Sequence, residues 1–152
     1  MKLFLDLEEV LIKDWYDPYC LLGKLDIIKS FCKQHDIKEA ILFSAAVWNK
    51  EDIEVFNTEI RAELEGILSI TLEPLKMDLA FQKICTNSMI SIQHAKFVTD
   101  IFPINPKRDM FLNHILLEYG KIKDPEEFVL FDDTVQDSEF NQGNIKIVFK
   151  NI

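Results

Sequence analysis

Five short apolar runs, each separated from the next by a loop or a helical stretch, constrain this chain more than any other feature. The first, Met1 to Ile12 (M-K-L-F-L-D-L-E-E-V-L-I), is apolar up to Asp6 and carries Glu8 and Glu9 just beyond it. A run of this length bounded by charge predicts a buried strand that delivers an acid to its C-terminal end. Glu39 to Ser44 (E-A-I-L-F-S) predicts a second strand, ending in a hydroxyl, and the alternating Gly66 to Leu72 (G-I-L-S-I-T-L) a third. Glu127 to Phe131 (E-F-V-L-F) leads into Asp132 and Asp133 as a fourth, and Asn144 to Phe149 (N-I-K-I-V-F) gives a fifth.

Helical spacing fills the intervals. Lys24 to His35 places Leu25, Ile27, Ile28, Phe31 and Cys32 at helical positions. Asn49, with Asp52 three residues on, is a capping arrangement for a helix running to about Arg61. Asn105-Pro106 opens another helix, whose stripe of Phe111, Ile115, Leu116 and Tyr119 ends at Gly120. Thr134 and Asp137 are placed to cap a short helix before the fifth strand. Lys13 to Gly23, with Trp15, Tyr16, Asp17-Pro18 and Tyr19, reads as a loop whose aromatics serve packing. Glu73 to Ile104 combines a helix around Lys76 to Cys85 with an irregular apolar tail of Met89, Ile90, Ile92, Phe97 and Val98. Strands alternating with helices predict an α/β domain, a three-layer Rossmann-like parallel sheet of about five strands with right-handed crossovers. Ligands of such sheets sit at the C-terminal ends of the strands.

Composition narrows the partners. At 152 residues and 48% hydrophobic, with twelve Phe, the chain is long enough for one domain with a sizeable core. A net charge of −9, from 17 basic and 26 acidic residues, disfavours nucleic acid as the main partner. Cys20, Cys32 and Cys85 cannot all pair within one chain and predict free thiols in a reducing compartment. Cys32 and His35 have metal-like spacing but no second pair, so helix packing is the better reading; His94 and His114 read as surface or helix-face residues. Asp6, Glu8 and Glu9 interrupt the apolar start, and no run is long enough to span a bilayer. The expected location is cytoplasmic, with no membrane partner.

Four polar signals fall beside strand ends or a helix start: Asp6 with Glu8, Ser44, Lys107, and Asp132-Asp133. An aspartate can attack a phosphoryl group if the charges of both are neutralised. A hard cation held by carboxylates supplies part of that neutralisation, and a hydroxyl and a lysine at a helix N-terminus can hold phosphoryl oxygens.

In this order and on these elements, the set resembles the haloacid dehalogenase-like (HAD) superfamily. Asp6-Leu7-Glu8-Glu9-Val10 matches its first signature, D-x-D-x-[TV]; Ser44, Lys107 and Asp132-Asp133 match the other three. The resemblance covers nearly the whole chain and implies a single domain over residues 1–152. It implies Asp6 as nucleophile, Glu8 as general acid/base and, through its carbonyl, as a ligand of Mg²⁺. It further implies Ser44 and Lys107 as phosphate-binding residues, and Asp132 with Asp133 or Asp137 as the rest of the metal site. The family's mobile loop falls on Leu7 to Lys24, where Trp15, Tyr16 and Tyr19 would line the mouth, and residues 73–104 stand where a small cap is inserted. The chain departs from the pattern at Glu8, where the family has Asp, one methylene shorter. A receiver-type phosphoacceptor domain uses similar groups in another order, and the third run here ends at Leu72-Glu73 without the acceptor Asp it requires.

Two functions are compatible with these residues. One is a Mg²⁺-dependent phosphatase acting on a small phosphorylated metabolite or nucleotide through an aspartyl-phosphate. The other is a catalytically impaired domain of the same fold, a regulatory module that binds a protein or itself through residues 73–104.

Overall fold

The computed structural model describes residues 1–87 and 106–152. Met89, Ile90, Ile92, His94, Phe97 and Val98, and with them the rest of the 73–104 insert beyond residue 87, lie outside the described residues. Within them the chain runs β1 (Lys2–Leu5), α1 (Leu22–Gln34), β2 (Glu39–Leu42), α2 (Lys50–Glu59), α3 (Arg61–Leu68), β3 (Thr71–Pro74), α4 (Met77–Asn87), α5 (Pro106–Tyr119), β4 (Glu126–Asp132), β5 (Ser138–Gln142) and β6 (Ile145–Asn151). One six-stranded sheet has the order β3-β2-β1-β4-β6-β5. β1, β2, β3, β4 and β6 pair in parallel, and β5 runs antiparallel to β6. The architecture is therefore α/β with a mixed sheet, compatible with a Rossmann-like fold, rather than the wholly parallel five-stranded sheet expected.

Burial explains why the central strands read as continuous apolar runs. β1 lies between β2 and β4, with Leu3 opposite Ala40 and Val129, and both of its faces are covered. Leu3 and Leu5 join Leu42, Val129 and Phe131 in one core cluster, against Leu25, Ile28, Phe56, Leu64 and Leu68 of α1, α2 and α3. Phe4 faces the other way into a second cluster with Phe43, Phe111, Ile115, Phe128 and Phe149. Its ring meets Phe111 edge-on at a centroid distance of 4.9 Å, a favoured aromatic arrangement. Helices thus cover both faces of the sheet.

Two local expectations change, and the helix capped by Asn49 between them holds. Gly66 to Leu72 is not a strand throughout: Gly66, Ile67 and Leu68 close α3, Ser69 ends it in the left-handed conformation (φ 59°), and β3 begins at Thr71. The alternating pattern there competes with the four-residue spacing of Ile60, Leu64 and Leu68, all three buried, and the helical spacing wins. The helix begun at Asn49 ends at Glu59, its start fixed by the expected capping box between Asn49 and Asp52. Thr134 and Asp137 cap no helix. They precede the β5–β6 hairpin, which turns at Gly143 (φ 57°) and Asn144, where glycine meets a positive φ without a Cβ penalty.

Cys20, Cys32 and Cys85 are free thiols. Cys32 is buried in α1, and burial pushes its thiol up to about 11; the neighbouring His35 ring lies against Phe31 at 4.4 Å. Helix packing accounts for that pair. No helix among the described residues is long and apolar enough to cross a membrane.

His114 is buried on α5, with ring contacts to Phe4 and Phe43. Burial holds its pKa below the ordinary 6.5, while Glu118 pulls it upward and Lys83 pushes it further down. The unfolded chain takes up this proton before the folded one, so stability falls as pH drops below that value. The loss of urea midpoint between about pH 7.5 and about pH 5.5 is expected to shrink in His114→Gln. Equal losses in the two proteins would show that His114 contributes nothing to it.

Candidate functional site

The ladders of β1, β2 and β4 continue one residue past the strands and bring their ends together. Asp6 donates its backbone N–H to the Phe131 carbonyl (3.1 Å), and Phe43 donates to the Leu5 carbonyl (2.8 Å). Asp6, Ser44 and Asp132 therefore emerge at one sheet edge, the C-terminal one.

Lys107, in the first turn of α5, reaches into this edge. Its Nζ lies 3.0 Å from Asp6 Oδ1 and 3.0 Å from Asp132 Oδ2, and 5.4 Å from the centre of the Phe43 ring. The neighbouring Arg108 stacks over Phe149 at 5.2 Å. Lys107 is thus shared between two carboxylates of the site, of which Asp132 is fully buried.

The two oxygens of Asp132 have different surroundings. Oδ1 accepts the backbone N–H of Thr134 (2.7 Å) and its hydroxyl (2.5 Å). Oδ2 is buried without a well-aligned hydrogen bond, facing the Lys107 ammonium. Burial alone pushes the Asp132 carboxyl upward, but Lys107 and the Thr134 hydrogen bonds together outweigh it, and the group sits below its ordinary value. Asp6 accepts its neighbour's backbone N–H from Leu7 on Oδ1 at 2.8 Å. Burial raises its pKa first; Lys107 pulls it down, Asp132 pushes it up, and a hydrogen bond from the buried Ser44 lowers it. Burial, and then the charge of Asp132, raises Asp133.

Asp6, Asp132 and Asp133 each place an oxygen within 4.8 Å of the other two. Three carboxylates converging on one point, one with a buried oxygen lacking a well-aligned hydrogen bond, form a donor set suited to a hard, oxygen-preferring cation such as Mg²⁺. Three clustered acids, with the Lys107 ammonium between two of them, carry negative charge that such an ion would offset.

Glu8 is placed differently. Its Oε2 accepts the backbone N–H of Trp15 at 3.1 Å, and its carboxylate is outside the three-acid cluster. The loop around it is tightly wound: Leu7 O accepts from Leu11 (2.9 Å) and Ile12 (3.1 Å), and Glu9 adopts a positive φ of 60°. Lys24 Nζ donates to the Glu9 carbonyl and to that of Ile152 (3.0 Å), holding the strained residue in place. Asp137 does not join the site, its Oδ1 accepting the Asn151 backbone N–H at 2.7 Å.

The loop aromatics divide. Trp15 packs on the first core cluster, as expected of a packing residue, whereas Tyr16 is fully exposed and Tyr19 is exposed. The role of Thr134 as hydrogen-bond donor to Asp132 is not among the expectations above. The signal was present in the run Asp132-Asp133-Thr134, because a hydroxyl two residues beyond an aspartate commonly closes a side-chain turn on it.

No family model, curated protein or solved structure matches the chain.

Proposed function

We propose that this chain is a magnesium-dependent phosphohydrolase of the HAD type, acting on a small phosphorylated metabolite or nucleotide. The observation that carries the reading is the Lys107 bridge, 3.0 Å to Asp6 and 3.0 Å to Asp132, at the edge where Ser44 also emerges. A nucleophilic carboxylate needs a nearby cation to meet a phosphoryl anion, and a lysine at a helix N-terminus brings both charge and dipole to that place.

Asp6, Asp132 and Asp133 would hold the metal, joined by the Glu8 carbonyl. When bound, the ion supplies charge neutralisation for the carboxylates and the phosphoryl oxygens. Asp6 would attack phosphorus in line with the leaving oxygen, giving an aspartyl-phosphate and releasing the alcohol. Ser44 and Lys107 would hold the non-reacting phosphoryl oxygens. Glu8 would give its proton to the leaving oxygen, then take one from the water that hydrolyses the aspartyl-phosphate. The Glu8 carboxylate accepts the Trp15 backbone N–H and lies beside rather than inside the acid cluster.

That same placement supports a second reading, a fold-retaining module in which proton transfer is lost and the domain binds a protein. Turnover decides between them. Purified protein with Mg²⁺ is expected to hydrolyse a generic aryl phosphate and to stop when the metal is chelated. Silence across a broad phosphoester panel would favour the module.

A further inference from the structure

The loop that follows β1 and the turn that follows β2 are joined by one side chain. Trp15 donates its indole N–H to the Ala46 carbonyl at 3.0 Å. Ala46 belongs to a turn in which Val47 N–H donates to Ser44 O (3.2 Å) and Ala46 N–H donates to Ser44 Oγ (3.3 Å). On its other side, the backbone N–H of Trp15 holds Glu8 Oε2. A single residue thus contacts both the turn that carries the Ser44 hydroxyl and the carboxylate two positions beyond Asp6.

We propose that Trp15 is a positioning residue: its indole N–H fixes the 44–47 turn and thereby the place of the Ser44 hydroxyl at the sheet edge where Asp6 also emerges, while its backbone anchors Glu8. The proposal deepens the phosphohydrolase reading and rests on it for the role of Ser44. Ser44 is buried, so the direction of its hydroxyl follows the conformation of its turn rather than contact with solvent. Tryptophan suits the position because its body packs on the α1–α3 core while its N–H remains a directed donor. A displacement near 1 Å at a phosphoryl-binding hydroxyl is worth on the order of 100-fold in rate.

Trp15→Phe retains an aromatic ring and the backbone N–H and removes only the indole donor. Inorganic phosphate inhibition, KM and kcat for an aryl phosphate are measured with Mg²⁺ in the full chain, its Trp15→Phe and Ser44→Ala variants, and the double variant. Trp15→Phe is expected to weaken phosphate binding roughly 10-fold and to change nothing further in the Ser44→Ala background, because the two act as one unit. Additive losses, or phosphate affinity equal to the parent chain, overturn the proposal. Backbone amide exchange reads the tie without any activity: Ala46 and Val47 should exchange faster in Trp15→Phe while β4 stays protected, and unchanged exchange overturns it. If the parent chain neither binds phosphate nor turns over, the phosphohydrolase reading falls, and amide exchange alone judges the tie.

Discussion

Asp6→Asn is expected to abolish turnover, by on the order of 10⁴-fold or more, while leaving the protein folded and, with metal chelated, at least as stable as the parent. The amide is nearly isosteric with the carboxylate but is not a nucleophile toward phosphorus. Stability is preserved because the fold does not depend on this charge: burial is the largest influence on Asp6 and works against ionisation. Lys107 retains Asp132 as a partner at 3.0 Å. Steady-state assay with an aryl phosphate and a urea melt in chelator check both halves. Turnover surviving in Asp6→Asn removes Asp6 as nucleophile, and a lower melt would mean that Lys107 depends on both carboxylates.

Lys107→Met is expected to have the opposite balance, with a large cost in stability as well as in phosphate binding. Removing the ammonium leaves Asp132, fully buried, and Asp6, nearly so, facing each other without a cation. Breaking a buried ion pair from one side costs about 3–5 kcal/mol, which in a domain of this size corresponds to a thermal midpoint lower by roughly 10 °C. The deficit should shrink on adding Mg²⁺, since a cation bound to the folded acids stabilises by mass action. Thermal unfolding followed by circular dichroism in chelator and in excess Mg²⁺ makes the comparison. A midpoint equal to that of the parent in chelator would show that the bridge does not hold the site together.

The sequence was most legible where one physical requirement dominated. β1 and β4 are buried on both faces and β2 buries Ala40 and Leu42 with Ile41 half-buried, so their apolar runs are unbroken and their polar ends stand out; Asp6, Ser44 and Asp132 were recognisable for that reason. Lys107 was recognisable from the Asn105-Pro106 helix start, which fixes where the helix presents its first basic residues. Gly66 to Leu72 was ambiguous because a short apolar stretch fits two periods, and only the partner surface on α1 decides between them. The β5–β6 hairpin was hidden because Ser138–Gln142 is an edge strand with little apolar content, although Gly143-Asn144 carried the turn signal. The position of the Glu8 carboxylate was illegible in principle, since it depends on a hydrogen bond to Trp15, seven residues away across a wound loop.

Both margins of the sheet are built to discourage growth into neighbouring chains. On one side β3 spans four residues and ends in Pro74, which has no N–H to offer an incoming strand. On the other, β5 presents Ser138, Glu139, Asn141 and Gln142, a polar sequence with a charge that an apolar strand would have to bury. A central sheet as rich in Phe and Leu as this one is an aggregation hazard whenever its margin is open. The antiparallel strand, added beyond β6, therefore acts as a closure that lets the apolar middle stay apolar.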